Sequence, residues 1–181
     1  MTNIAVVSGC PGTGKTTLAF ALASASVRGV HIESDVFFHF FTHRILPIRR
    51  EAHEQNAAAV RAIGAAAAAF ATSGYEVVVD GVLGPWFLPT FLEALGPSGL
   101  VAEYIVLRAP LDDTLRRALP RDKTEAEHAE IVRHMHREFA DLGPLEKHAV
   151  ETGGQAPEDT LAVVTSRRTR GDFLLASSEA V

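Results

Sequence analysis

Three runs of the chain are apolar with little polar interruption and rich in branched residues: 3–8 around "IAVV", 76–80 ("EVVVD") and 101–107 ("VAEYIVL"). Runs of that length read as strands buried on both faces. A shorter run at 30–34 and a weaker one at 147–151 read as two more strands. Between them the apolar positions recur at helical spacing. The pattern predicts helices over 15–26 (ending near Gly29), 47–73 (alanine-rich, stopping at Gly74) and 86–95 (bounded by Gly96-Pro97). Further helices are predicted over 110–119, with a proline in the first turn, over 125–141 and over 157–168. Strands alternating with helices imply parallel crossovers and a sheet covered on both faces, a three-layer α/β/α fold. The 181 residues suit one α/β domain spanning 1–181, without repeats or a long linker.

The first interval between strand and helix is unusual. Gly9-Cys10-Pro11-Gly12-Thr13-Gly14-Lys15-Thr16 fits GxxxxGK[ST], the phosphate-loop pattern, in the required setting of strand before and helix after. The glycines let backbone N–H groups turn inward around a polyphosphate, and the helix N-terminus adds a field that favours an anion. Lys15 can reach the β and γ phosphates. The Thr16 hydroxyl suits Mg²⁺, which prefers hard oxygen ligands, and Thr17 can add an α-phosphate contact.

A phosphate loop binds a nucleotide but specifies no reaction. The remaining chemistry is expected beyond the carboxyl ends of the other strands, where open α/β sheets place their ligands. Asp35 follows the second strand in "HIESDVFF" and is positioned to accept a proton from an attacking hydroxyl, with an N-cap as the structural alternative. Glu33 shares its side of the strand but lies farther from the strand end. Asp80 ends the third strand in "VVVDGV" and is positioned to hold a magnesium-bound water, with a turn residue before Gly81 as the alternative. Arg116, Arg117 and Arg121 in "LRRALPRDK" can neutralise a transferring phosphoryl group or can form a solvated helix face. Arg117 and Arg121 share a face only if the helix continues through Pro120; otherwise Arg121 belongs to a lid.

Composition narrows the picture. Nearly half the residues are apolar and 22% are charged, as in a soluble globular protein. The net charge of −5 speaks against a dedicated nucleic-acid binder. Lone Cys10 allows no intrachain disulfide and suits a reducing compartment; a filler role is expected for its side chain. No positively charged segment precedes an apolar N-terminal core, and the longest uncharged run, 62–75, is shorter than the ~18 residues a membrane span needs. A cytoplasmic protein without membrane partners is expected. Arginine outnumbers lysine fourteen to three, which sets Lys15 apart.

With these residues in hand, the chain resembles the small P-loop kinases. That group includes nucleoside monophosphate, shikimate and gluconate kinases and chloramphenicol phosphotransferase, together with bacterial proteins labelled AAA-family ATPase or kinase. The resemblance runs over nearly the whole chain: the phosphate loop, Ser34-Asp35, "HEQN" at 53–56, "DGV" at 80–82, "YIVLR" at 104–108, Arg117, Arg121 and "FADLG" at 139–143. It implies a five-stranded parallel sheet in the order 2-3-1-4-5, an arginine lid at about 117–128, and an acidic base after the second strand, which falls on Asp35. It also implies that the loop Gly153-Gly154-Gln155 borders the adenine. The departures matter equally. No arginine follows "DG" as in nucleoside monophosphate kinases, and the glycine triplet of shikimate kinases is absent. With only Asn3 and Asn56 as asparagines, no Asn-Lys-x-Asp guanine element exists. The run "FFHFFTHR" at 37–44 lies where relatives bind acceptors, and its phenylalanines suggest a partly apolar acceptor or core packing.

The expectation is an ATP- and Mg²⁺-dependent phosphotransferase acting on a hydroxyl of a small molecule, without nucleic acid as partner, as a monomer or homodimer. Three alternatives stay open: an NTPase with water as acceptor, a nucleic-acid 5′-end kinase, and a toxin-type kinase acting on a sugar nucleotide.

Overall fold

Alternation along the strands divides the core in two. In β1 (Asn3–Gly9), Ile4 and Val6 join one apolar cluster while Ala5 and Val7 join another, and all four are fully buried. A strand buried on both faces must lie inside a covered sheet. The computed structural model, which describes residues 3–97, 99–118 and 125–175, places β1 at the centre of five strands. The others are β2 (Gly29–Glu33), β3 (Glu76–Asp80), β4 (Val101–Arg108) and β5 (Ala149–Glu151). Every pairing is parallel and the order is β2-β3-β1-β4-β5, as the family resemblance implied.

Helices cover both faces. α1 (Lys15–Ser24) and α7 (Pro157–Thr169) pack on the face carrying Ala5, Val7, Val78, Ile105 and Leu107. α3 (His53–Thr72), α4 (Leu88–Ala94) and α6 (Glu125–Glu138) pack on the face carrying Ile4, Val6, Val77, Val79 and Val106. α5 (Leu111–Ala118) follows β4 and packs against α6.

Several boundaries differ from the expectations, each for a local reason. β2 stops at Glu33, whose register partner is Asp80, the last residue of β3; residues Ser34–Phe38 form the short helix α2 instead of prolonging the strand. The predicted helix 47–73 begins only at His53. The segment before it is a loop with a 3₁₀ turn at Arg50–Ala52, and the Asn56 side-chain amide donates to the Pro47 carbonyl at 2.8 Å. The predicted helix 86–95 opens as a 3₁₀ turn at Pro85–Phe87, where proline lacks the N–H that a longer helix would use. Lys147 belongs to a 3₁₀ segment, Gly143–His148, so β5 is only three residues long.

That short fifth strand pairs only with Val106–Arg108. The free edge at Ala102–Tyr104 is taken by the chain after α7. Tyr104 N–H donates to Phe173 O at 2.9 Å, and Leu175 N–H donates to Ala102 O at 3.1 Å. Phe173 thereby enters the second core, and buried Glu103 is neutralised by Arg168 at 2.6 Å.

Candidate active site

The carboxyl ends of β1, β2 and β3 meet at the phosphate loop. Gly9 has φ +135° and Gly12 has φ +85°, a region that favours glycine. Space forbids a side chain there too: a Cβ would lie 2.3 Å from Leu107 O at Gly9, and 2.4 Å from Thr114 O at Gly12. The loop's backbone thus rests directly on β4 and on α5. Inside it, Lys15 Nζ donates to Cys10 O at 3.0 Å and Thr13 Oγ1 donates to the same carbonyl at 2.8 Å. Burial holds the Lys15 ammonium below its ordinary pKa, against the opposing influence of Cys10, Asp35 and Asp80. Burial also pushes the Cys10 thiol up to about 11 despite Lys15 nearby, and its Sγ donates to Val132 O on α6 at 3.3 Å. The side chain of Cys10 is therefore an internal contact, as expected.

A cavity of about 230 Å³ opens beside the loop, lined by Lys15, Thr16, Glu33, Asp35, Asp80 and Gly81 among others. Both predicted carboxylates are in it. Gly81 makes this possible, because a Cβ there would overlap the Ser34 hydroxyl at 1.7 Å. The exit of β3 can pass against the start of α2 only with no side chain at that position. Asp80 is buried, with His31 Nε2 at 3.3 Å from its Oδ1, within ion-pair range but outside hydrogen-bond geometry. Asp35 lies in the first turn of α2, exposed, without a hydrogen bond or ion pair among the described residues. The N-cap position belongs to Glu33, and no side chain caps the helix. Capping therefore does not account for Asp35.

On the other flank of the loop lies a cavity of about 480 Å³, lined by Thr13, Gly14, Thr17, Arg117, Thr152 and Gln155 among others. Of the adjacent arginines, both exposed, Arg117 lines this cavity, whereas Arg116 is bonded to Asp113 at 2.5 Å. Gln155 lines it too. Gly153 packs instead against Pro110, and Gly154 supplies a turn with φ +69°. Arg121, and with it most of the expected lid at 117–128, lies outside the described residues.

A third cavity, of about 310 Å³, adjoins the first and shares Pro11, Asp35 and Val82 with it. Its walls are largely apolar, with Phe38, Ile48, Val60, Ile63, Trp86 and Met135 prominent. Phe38 and Arg44 of the "FFHFFTHR" run are in this wall, and Phe37 packs on the core.

A family model described as "AAA domain" matches residues 6–136. The chain belongs to that family. No curated protein matches it. Among solved structures this AAA domain is similar to a sugar kinase from Janibacter sp. HTCC2649, with TM-score 0.69, 20% identity, and coverage of 92% of this chain and 94% of the other. It is also similar to a gluconokinase from Sinorhizobium meliloti 1021, with TM-score 0.65, 18% identity and 94% of each chain covered. A shikimate kinase from Acinetobacter baumannii gives TM-score 0.60 at 20% identity, again with 94% of each chain covered. The fold is that of the small P-loop kinases.

Sequence reasoning missed three positions that hold the AAA domain's site together. Ser8 Oγ donates to Leu83 O at 2.7 Å and accepts from Leu83 N–H at 3.1 Å, while Tyr104 Oη donates to Leu83 O at 2.7 Å. Buried hydroxyls from β1 and β4 thus pin the loop after Asp80, which walls both the small and the apolar cavity. Thr152 Oγ1 bridges Thr13 O at 3.2 Å and Arg108 O at 3.0 Å, tying the end of β5 to the phosphate loop. A polar residue inside an otherwise apolar strand, as at Ser8 and Tyr104, was the available signal. Among the described residues, no helix is long and apolar enough to cross a membrane.

Proposed function

We propose that this AAA domain is an ATP- and Mg²⁺-dependent phosphotransferase that moves the γ-phosphoryl group to a hydroxyl of a small molecule. The observation that carries this reading is the position of Asp35. It is an exposed carboxylate without a hydrogen bond or ion pair among the described residues, and it lines both the cavity beside the phosphate loop and the adjoining apolar cavity. An acceptor in the apolar cavity would meet a phosphoryl donor at that boundary.

The residues present fit the nucleotide and the metal. The positive φ of Gly9, Gly12 and Gly14 lets the loop backbone curve as a phosphate cradle requires, and open space lies where a Gly14 side chain would begin. The Thr16 hydroxyl and the Asp80 carboxylate are hard oxygen donors in one cavity, and the described residues include no cluster of three or more His, Cys, Asp or Glu that could hold an ion alone. That set suits a Mg²⁺ that completes its shell with phosphate oxygens and water. Bound Mg²⁺ would supply neutralisation of charge on the β and γ phosphates.

The chain's own residues do the rest. The loop amides and Lys15 hold the phosphates. Lys15, relieved of its bond to the Cys10 carbonyl, would gain phosphate oxygens as partners, which favour its charged form. Thr17 contacts the α-phosphate, and Arg117, Thr152 and Gln155 surround the rest of the nucleotide. Arg117, and Arg121 from the lid, clamp the transferring group. Asp35 takes the proton of the acceptor hydroxyl as its oxygen bonds to the γ-phosphorus. The bond from that phosphorus to the β,γ-bridging oxygen breaks, and ADP leaves.

The test is ADP release measured against alcohols, sugars, nucleosides and antibiotics. A rate stimulated by a specific acceptor supports transfer. A rate indifferent to every acceptor identifies an NTPase and removes the proposal.

A further inference from the structure

The apolar cavity has a continuation. Pro47, Ile48, Asn56, Trp86, Phe87 and Met135 line it and also line an outer compartment of about 490 Å³. That compartment shares no lining residue with the cavity beside the phosphate loop. The order of spaces is thus phosphate site, apolar cavity, outer compartment.

The chemistry changes along this path. The outer compartment adds Arg49, Arg50, His53 and His134, with Glu138 as its one carboxylate among the described residues. Arg49 and Arg50 are exposed, and neither side chain has an ion pair or hydrogen bond among the described residues. Arg108, Arg116, Arg168 and Arg170 each bond a carboxylate, and of the arginines that bond none, Arg49 and Arg50 are the two that line this compartment. The segment that carries the free pair is held in place. Gln55 accepts from Ile45 N–H at 2.8 Å and donates to Ile45 O at 2.9 Å, Asn56 holds Pro47 O, and Ala52 N–H donates to Arg49 O at 3.0 Å. Two guanidinium groups without acidic partners, on a braced turn beside this compartment, can hold an anion.

Resting on the kinase reading, we propose that the acceptor is an amphipathic alcohol. Its hydroxyl meets Asp35, its body is apolar and fills the cavity between Phe38, Val60, Ile63 and Trp86, and its far end carries an oxyanion held by Arg49 and Arg50. A polyol is the poorer occupant, because the polar side chains of this largely apolar wall are limited to Ser34, Asp35, Arg44, Asn56 and His128, and a hydroxyl facing Phe38, Val60, Ile63 or Trp86 would be buried without a partner.

The chain's single tryptophan, Trp86, lines both spaces and reports their occupancy. Its fluorescence is titrated, with a non-hydrolysable ATP analogue and Mg²⁺ present, using ω-hydroxy carboxylates of increasing chain length, the matching n-alkanols, and sorbitol and gluconate as polyols. The expected result is binding that peaks at one length of hydroxy acid and exceeds that of the matching alkanol by about tenfold or more. Arg49→Ala with Arg50→Ala should erase the preference for the acid, and Arg49→Lys with Arg50→Lys should restore much of it. Alkanols or polyols that bind as well as the acids overturn the proposal. So does a preference that survives the alanine pair, or a series in which nothing binds. ADP release with the same compounds separates the two readings: hydroxy acids that bind in this pattern without stimulating release uphold the subsite and defeat the kinase reading.

Discussion

The two sides of the site are built by different means. The nucleotide side comes mainly from one continuous stretch, Gly9 to Thr17, whose geometry is backbone geometry: positive φ at Gly9 and Gly12, and contacts with Leu107 O and Thr114 O that admit no side chain. The acceptor side comes from five separate places, with Phe38 on α2, Ile48 in a loop, Val60 and Ile63 on α3, Trp86 after β3 and Met135 on α6. A site made of backbone can be stated as a motif. A site made of side chains brought together by packing cannot, because no spacing in the chain fixes which of them meet. On the proposed function the same contrast separates the tasks: the loop would hold the phosphates, and the cavity would set which acceptor is taken.

Asp35 lies on the boundary and Asp80 on the nucleotide side of it, and substituting each is the strongest way to break the comparison. Asp35→Asn keeps the shape but cannot take a proton. Phosphoryl transfer should fall by roughly 10² to 10⁴ while ATP affinity is kept. Asp80→Asn should instead raise the Mg²⁺ concentration needed for half-maximal rate. Single-turnover transfer with the true acceptor, followed across a Mg²⁺ series, reads both effects. A turnover of the Asp35 variant within a few-fold of wild type would take Asp35 out of the mechanism.

The next effect belongs to the nucleotide side alone. Lys15→Ala should weaken MgATP binding by about tenfold or more by calorimetry, because a charged hydrogen-bond donor to the phosphates is lost. Acceptor binding read from Trp86 should barely change. Equal losses on both sides would show that the two regions are not separable.

How much of this was legible in the sequence follows from the same division. The four longer strands and the phosphate loop were readable from local pattern, because each depends on neighbours in the chain; the strand order came from the resemblance, and the placing of Asp35 and Asp80 from the rule that ligands lie beyond the strand ends. The start of α3 was not, because Asn56 reaches back to Pro47 across a loop that helical spacing does not reveal. Leu83 held no signal at all. Its importance arises from Ser8, 75 positions away, and from Tyr104, 21 positions away. Trp86 and Phe87 read as helix residues and became cavity wall, because Pro85 opens a 3₁₀ turn there.

Tyr104→Phe tests the acceptor side more gently. It removes one of the two hydroxyls bonded to Leu83 O and leaves Ser8 in place. The expected cost is about 1 kcal/mol in unfolding free energy. The KM for the acceptor should rise while that for ATP stays level, since Val82 and Leu83 wall the apolar cavity. An altered ATP KM with an unaltered acceptor KM would contradict the account of that loop.

The smallest effect is expected where the regions touch. Cys10 Sγ on the phosphate loop donates to Val132 O on α6, the helix that also supplies Ile131 and Met135 to the acceptor wall. Cys10→Ala should change binding on either side by less than about 1 kcal/mol. The thiol carries a clear pH signature. Its pKa is about 11 in the folded chain against about 8.5 for a free cysteine, so the native state keeps a proton that the unfolded state releases. The stabilising contribution is complete below the unfolded value and is lost as pH rises toward 11. Iodoacetamide at pH 8 should alkylate native protein far more slowly than urea-unfolded protein. Comparable rates would mean that Cys10 is not held as described.

The pinning of Leu83 has a consequence for how such a protein diversifies. Its carbonyl already serves two hydroxyls, so the wall nearest the phosphates is set by the sheet before any ligand arrives. The remaining walls stand on α2, α3, α6, the loop at Ile48 and the turn at Trp86, of which only α2 carries a candidate reacting group, Asp35. On the proposed function, exchanging residues such as Val60, Ile63 or Met135 would change which acceptor fits and leave the phosphate loop as it stands.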